Sequence, residues 1–359
     1  MKLLKFCVIL TFLILIIGGL SPIGVSVKVE TFDKESNVCK DDFYFVQITD
    51  THFLHEKFDE NEYSKARLKG VLEKICSFEK KPDFVVMTGD LVHWGGRDPT
   101  GAMNYQAFVE CLYKKNDKFY ADPSCTIPIY LIPGNHDYMW ENSLYHYHKY
   151  ISSIDRYVLE YRDATLIFID SGFNYISDPR DWTLVKGSGL YDDDIDWLEE
   201  KLTGCNTQHK IILMHHPAVN SRNSNGDMTS VIARNRGGFL TLCEQNDVDL
   251  VLTGHTHSSR VFDSEENRYD ENSYPYNCSK CPTLYVQTED CKDFAYYRNI
   301  TFIDNDIWLE KCENISLKRS SRNKNEVSYN PVNYMDKIIA NIFNLFLKQL
   351  GIRQLLMKL

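Results

Sequence analysis

From Phe43 to Cys312 the chain alternates short runs rich in Val, Ile, Leu, Phe and Tyr with polar stretches in which apolar residues recur every three or four positions. That rhythm predicts an α/β domain. The short runs place strands at Phe43–Thr49, Phe84–Thr88, Ile127–Ile132, Thr165–Asp170, Ile211–Met214, Leu250–Thr253, Thr283–Gln287 and Asn299–Ile303. Helices are expected at Ser64–Lys80, Tyr105–Lys114, Asp192–Leu202 and Gly238–Gln245, packed against the sheet faces.

Both ends of the chain break this pattern. Lys2 and Lys5 precede an uncharged stretch from Phe6 to Val27, so residues 1–27 read as an export signal. Gly18, Gly19, Pro22, Gly24 and Ser26 supply small or helix-breaking residues for cleavage between about residues 20 and 27. The run is also about as long as a bilayer-spanning helix, which keeps an uncleaved signal anchor open. Either way the domain at 42–312 is expected outside the cytoplasm, because Lys2 and Lys5 stay inside. Residues 313–332 form a polar linker with Lys318, Arg319, Arg322 and Lys324. In the tail at 333–359, Met335, Ile338, Ile339, Ile342, Phe343, Phe346 and Leu350 fall at helical spacing among basic residues. Such a helix either docks on its own domain or lies at a membrane surface; Lys348 and Arg353 interrupt it too early for a span.

A net charge of -10 over 359 residues argues against a nucleic-acid-binding surface, which needs an excess of Lys and Arg. Any phosphate must therefore be held locally. Eleven cysteines less Cys7 leave an even number, which in an exported chain favours disulfides, although the pairing is not deducible. Cys278-x-x-Cys281 resembles half of a zinc site without a second pair of that spacing, and Cys76, within a helical pattern, fits a buried thiol. Asn277, Asn299 and Asn314 begin glycosylation sequons.

Five polar clusters each follow a predicted strand: Asp50-Thr-His52, Gly89-Asp90, Gly134-Asn-His-Asp137, His215-His216 and Gly254-His-Thr-His257. Ligands bind at the carboxyl ends of strands in α/β sheets, so these clusters can converge in space. Carboxylate, amide and imidazole ligands suit Mn, Fe, Zn or Ni ions. Two such ions need a ligand between them, and the carboxylate of Asp90, on a glycine-freed turn, is the candidate. The alternate spacing in Asp50-Thr-His52 and His255-Thr-His257 would send two side chains to one side of an extended backbone.

This set, in this order, resembles the calcineurin-like metallophosphoesterase superfamily over about Phe43 to Ile303. The resemblance implies a four-layer α/β/β/α sandwich of two mixed sheets flanked by helices. It implies that Asp50, His52, Asp90 and His257 hold one metal ion, and Asp90, Asn135, His215 and His255 a second. His136 matches the residue that contacts the substrate phosphate and protonates the leaving group, with Asp137 as its orienting partner. His215 is preferred to His216 as ligand because it directly ends its strand. His93, His146, His148 and His209 lie outside the motifs and read as surface or packing residues, His93 alone sitting near the site.

Departures narrow the resemblance. The segment Leu91-Val-His93-Trp94-Gly95 lacks the arginine of phosphoprotein phosphatases and the tyrosinate of purple acid phosphatases. Thr165-Leu-Ile-Phe-Ile-Asp170-Ser, Gly189-Leu-Tyr and Trp197-Leu resemble the branch of class III cyclic nucleotide phosphodiesterases and related secreted phosphoesterases. The expected activity is hydrolysis of a phosphate ester or diester, with a hydroxide held by the two metals as nucleophile. The competing expectation is an inactive module that keeps the fold for recognition at a cell surface. Substrate walls are expected from the loops Leu54–Tyr63, Gly95–Asn104, Tyr138–Tyr150 and Asn220–Arg236.

Overall fold

Alternation within each strand decides the layering. In β1 (Phe43–Ile48), Phe43 and Phe45 join one core, whereas Tyr44, Val46 and Ile48 join another beneath the helix Tyr63–Cys76. In β2 (Phe84–Thr88), Phe84 and Val86 follow the first pair, and Val85 and Met87 the second. Successive side chains of a strand face opposite ways, so a sheet buried on both sides needs apolar residues throughout. The structure, a computed structural model, describes residues 42–59, 63–138, 143–173 and 188–315.

Two mixed sheets result. The first runs, across its centre, from Asp306–Leu309 through β8 (Tyr296–Ile303) to β1, β2 and β3 (Cys125–Ile132). There β1, β2 and β3 are parallel and β8 is antiparallel to β1. The second sheet carries four parallel strands, β4 (Ala164–Ile169), β5 (His209–Leu213), β6 (Leu250–Thr253) and β7 (Leu284–Gln287). Phe43, Phe45, Phe84 and Phe302 from the first sheet share a core with Leu166, Phe168, Ile211, Leu213 and Leu252 from the second. The opposite face of the second sheet packs Ile167, Ile212 and Met214 against Leu198 and Leu202 of the helix Asp192–Thr203 and Phe239 of the helix Arg236–Gln245. Helix, sheet, sheet and helix therefore stack as four layers, as the resemblance implied.

The strand expectations hold with small shifts, and the helices differ in an instructive way. One helix begins at Pro99, not Tyr105, because Asp98 Oδ1 caps Gly101 N at 2.9 Å and proline suits the first turn. Part of the expected loop Gly95–Asn104 is thus helical. Tyr113–Lys115 and Lys118–Asp122 form an edge hairpin instead of continuing that helix. The first helix ends at Cys76, which is joined to Cys125 by a disulfide rather than standing as a buried thiol. Cys278 and Cys281 are unbridged.

The first sheet extends past the boundary expected at 312, since Glu313–Asn314 pairs with Tyr296 and Tyr297 of β8. The expected export signal and the C-terminal helix, with the rest of the linker, lie outside the described residues. Among the described residues no helix is long and apolar enough to cross a membrane. Of the sequon asparagines, Asn277 and Asn299 bond Asp306 and Glu310 through their amides, whereas Asn314 is exposed.

Candidate metal centre

Three parallel strands of the first sheet and two of the second deliver their ends to one place. Asp50 and His52 follow β1, Asp90 follows β2, Asn135 follows β3, His215 follows β5, and His255 and His257 follow β6. The two sheets are stitched there by His255 N donating to Asp50 Oδ2 at 2.9 Å and Gln47 Nε2 to the Thr253 carbonyl at 3.2 Å, and within the second sheet Gly254 N donates to the His215 carbonyl at 3.0 Å. Below them a buried polar layer interrupts the apolar core: Gln47 Nε2 donates to Thr88 Oγ1 at 2.9 Å and Thr288 Oγ1 donates to Gln47 Oε1 at 2.7 Å.

The expected extended backbone is not what aims the paired ligands. Asp50, His52, Asp90, His255 and His257 all have left-handed backbones, with φ between 40° and 68°. Non-glycine residues rarely accept that conformation, which costs of order 1–3 kcal/mol each and persists only where the surroundings enforce it. The close approach is enforced by two glycines. A Cβ on Gly254 would lie 2.0 Å from Thr49 Oγ1 and 2.3 Å from Asp50 Oδ2, and one on Gly89 would lie 2.5 Å from His215 Nδ1.

The ligand atoms fall into two adjoining groups. In the first, His257 Nε2 is 3.2 Å from His52 Nε2 and 3.3 Å from Asp50 Oδ1. In the second, Asn135 Oδ1 is 3.1 Å from His215 Nε2 and 3.0 Å from His255 Nδ1. Asp90 Oδ2 stands between them, 3.4 Å from His52 Nε2 and 3.3 Å from His215 Nε2. Its other oxygen is occupied, accepting from His136 N at 2.8 Å. One oxygen, not both, is thus left to face the two groups.

This donor set fits a pair of cations. Asp50 Oδ1 is buried without a hydrogen-bond partner, and such an oxygen is costly unless a positive charge meets it. Burial alone would raise the Asp50 and Asp90 carboxyls, but the charge of His215, with smaller contributions from the other histidines around them, holds both well below the usual carboxylate range. Burial would lower His215, yet Asp90 and Asp50 draw it up to about 10. Burial and the nearby His136 push His52 down to about 3, so its ring is a neutral donor of the kind metals bind. His215 Nδ1 donates to the Thr88 carbonyl at 2.8 Å, which keeps a proton on Nδ1 and makes Nε2 the nitrogen available to ligate.

The remaining candidates separate by their contacts. His216 packs its ring 4.4 Å from that of His255 and pairs Nδ1 with Ser171 Oγ at 2.9 Å; His215 is the histidine set against Asp90 and Asn135. The His136 ring lies 4.4 Å from that of His52, edge-on, and its Nδ1 is 2.8 Å from the His93 carbonyl. Asp137 is occupied elsewhere, accepting from Leu91 N, Val92 N, Gly134 N and the Tyr105 hydroxyl. The orienting contact on His136 is therefore the His93 carbonyl. Sequence reasoning also missed Asp290, whose Oδ2 lies 3.7 Å from His257 Nδ1, and Gln47, whose only signal was an amide inside an apolar strand.

A model of the family described as calcineurin-like phosphoesterase matches residues 43–259, ending just past His257. A probable glycerophosphodiester phosphodiesterase GpdQ of Arcobacter nitrofigilis is 26% identical over 216 residues, 59% of this chain and 71% of that protein. The 3′,5′-cyclic adenosine monophosphate phosphodiesterase CpdA of Escherichia coli is 27% identical over 223 residues, 61% of this chain and 70% of that protein. Among solved structures, the purple acid phosphatase PPD1 from yellow lupin seeds aligns with a TM-score of 0.49 at 12% identity, over 76% of this chain and 52% of that one.

Proposed function

This chain belongs to the calcineurin-like phosphoesterase family, a hydrolase of phosphate ester bonds, and on that premise we propose that it cleaves phosphodiesters at a centre holding two metal ions. The observation that carries the two-ion reading is Asp90 Oδ2, set between the ring nitrogens of His52 and His215. Asp50, His52, Asp90 and His257 would hold one ion, and Asp90, Asn135, His215 and His255 the other; Mn, Fe, Zn and Ni all suit these donors. When bound, such a pair supplies charge neutralisation for the phosphate oxygens and acidifies water near neutral pH.

The chain's own residues do the rest. With its Nδ1 facing the His93 carbonyl, His136 keeps Nε2 for the substrate, where it can give a proton to the departing alkoxide. Asp90 Oδ1 fixes the backbone of that same residue, so acid and bridge are held in register. The diester preference is supported by the names of the GpdQ and CpdA relatives and by the absence of an arginine between Leu91 and Gly96. Export is supported by the Cys76–Cys125 disulfide, since such bonds persist in oxidising compartments. A screen of mono-, di- and pyrophosphate substrates, run with added Mn and with metal content measured, tests the reading. Metal-dependent turnover strongest on diesters is expected; two bound ions with no turnover on any substrate would favour a binding module.

A further inference from the structure

His93 reaches two functional side chains from two different atoms. Its Nδ1 lies 3.2 Å from His52 Nδ1, and its carbonyl oxygen lies 2.8 Å from His136 Nδ1. The residue is itself tied down. Its N–H donates to the Phe53 carbonyl at 3.0 Å, next to the bridge between Phe53 and Val92 that extends the pairing of the β1 and β2 segments beyond the sheet. Gly95 N then donates to the His136 carbonyl at 2.9 Å, closing the loop on the other side.

The direction of these hydrogen bonds follows from what His52 must do. Its Nε2 is the nitrogen near Asp90 Oδ2, at 3.4 Å, and His257 Nε2, at 3.2 Å, so that atom must offer its lone pair to an ion. A neutral imidazole with a free Nε2 carries its proton on Nδ1. The atom facing that proton is His93 Nδ1, which must accept it and hence keeps its own proton on Nε2. Ring nitrogens of metal ligands are commonly held this way by a carboxylate, carbonyl or water. Here a second histidine takes that place. The His93 carbonyl meanwhile can only accept, so His136 Nδ1 is the donor and its Nε2 is the nitrogen left for other partners.

We propose that His93 is a positioning residue for both halves of the site: its ring sets the tautomer and angle of the ligand His52, and its carbonyl sets those of His136. This rests on the two-metal reading above. One residue thereby couples the geometry of the first metal site to that of the group beside the leaving oxygen.

The test uses two variants that divide packing from hydrogen bonding. His93→Phe keeps a ring in contact with Trp94 and His136, whose centroids lie 4.8 and 5.0 Å away, but has no nitrogen. His93→Asn places an amide oxygen about where Nδ1 was and can accept from His52. Manganese binding is followed by calorimetry with chelator competition, and His52→Ala marks the binding step that belongs to the first site. Expected is a loss of roughly 10–100-fold in that step for His93→Phe, the other step unchanged, with most of the loss recovered in His93→Asn. Because the carbonyl survives in both variants, the dependence of turnover on leaving group should stay that of the wild type. Equal weakening of both steps, or no recovery in His93→Asn, would reduce His93 to a packing residue. Unchanged binding in His93→Phe would show that His52 is oriented without it. A wild-type protein that binds no manganese, zinc, iron or nickel would overturn the two-metal reading and the His93 proposal with it, a result distinct from any difference between the variants.

Discussion

The Tyr105 hydroxyl donates a 2.6 Å hydrogen bond to Asp137 Oδ1 in the buried interior beneath the metal centre. Asp137 also accepts from Leu91 N at 3.1 Å, Val92 N at 3.3 Å and Gly134 N at 2.8 Å. It therefore fastens the chain that follows Asp90 to the chain that precedes Asn135. Burial and the charge of Asp90 push the Asp137 carboxyl up to about 7, so the contacts around it oppose a substantial desolvation cost.

Tyr105→Phe removes one of those donors without changing the ring. Above about pH 7, where the Asp137 carboxyl is ionised, the expected loss is about 1.5–3 kcal/mol of stability, the range for a hydrogen bond to a charged group. Urea unfolding of the metal-free protein checks it. Manganese affinity should fall as well, because two ligand-bearing segments loosen together; a variant less stable but with unchanged affinity would confine Asp137 to the core.

Asp90→Asn addresses the oxygen between the two ligand groups. A neutral amide is a poor bridge between cations, so metal content should fall toward one ion or none and turnover should be lost. Elemental analysis and diester hydrolysis decide it together. Two ions per chain with near-normal turnover would show that Asp90 is not the bridge.

Much of this centre was legible in the sequence because its ligands come from short motifs at strand ends. Strand runs such as Phe84–Thr88 are read from apolar composition, and Gly89-Asp90 follows directly. The supporting contacts were not legible, since they depend on which segments meet in space. Nothing local to His93 shows that it lies 41 positions from its partner His52 in sequence yet 3.2 Å away in the fold. Asp137 is a different case: its neighbourhood to His136 suggested a partnership that the helical turn Asn135–Tyr138 does not make. The helix starting at Pro99 was hidden for a third reason. Pro-Thr-Gly reads as a loop unless the preceding Asp98 is recognised as its cap.

Another raised carboxyl, Asp170, predicts a pH effect on stability away from the ligands. It follows β4, accepts from the Tyr138 hydroxyl and from Gly172 N at 2.9 Å, and burial pushes it from 3.8 up to about 7. Between those values the folded state holds a proton that the unfolded chain has released, so stability falls as pH rises. The contribution is fully present below about pH 4 and lost by passage through about pH 7. Asp170→Asn cannot ionise, so its stability relative to wild type should improve steadily from pH 4 to 7 and level off above. Denaturant unfolding of both proteins at several pH values measures the difference; parallel curves would mean that Asp170 is ionised throughout.

His136→Ala should leave metal content intact, because the ligands Asp50, His52, Asp90, Asn135, His215, His255 and His257 remain and the Asp90 contact is to the His136 backbone, not its ring. Turnover should respond to the leaving group. If the ring protonates the departing oxygen, its loss costs roughly 10²–10⁴-fold with a poor alkoxide leaving group, the usual scale for general acid catalysis. A nitrophenolate departs with little protonation, so there the penalty should shrink to whatever the ring contributes by binding phosphate. The ratio of the two penalties is the informative quantity, since misfolding or a weakened metal site would slow both substrates alike. An equal penalty with metal retained would make His136 a positioning residue, and loss of metal would place its ring among the ligands.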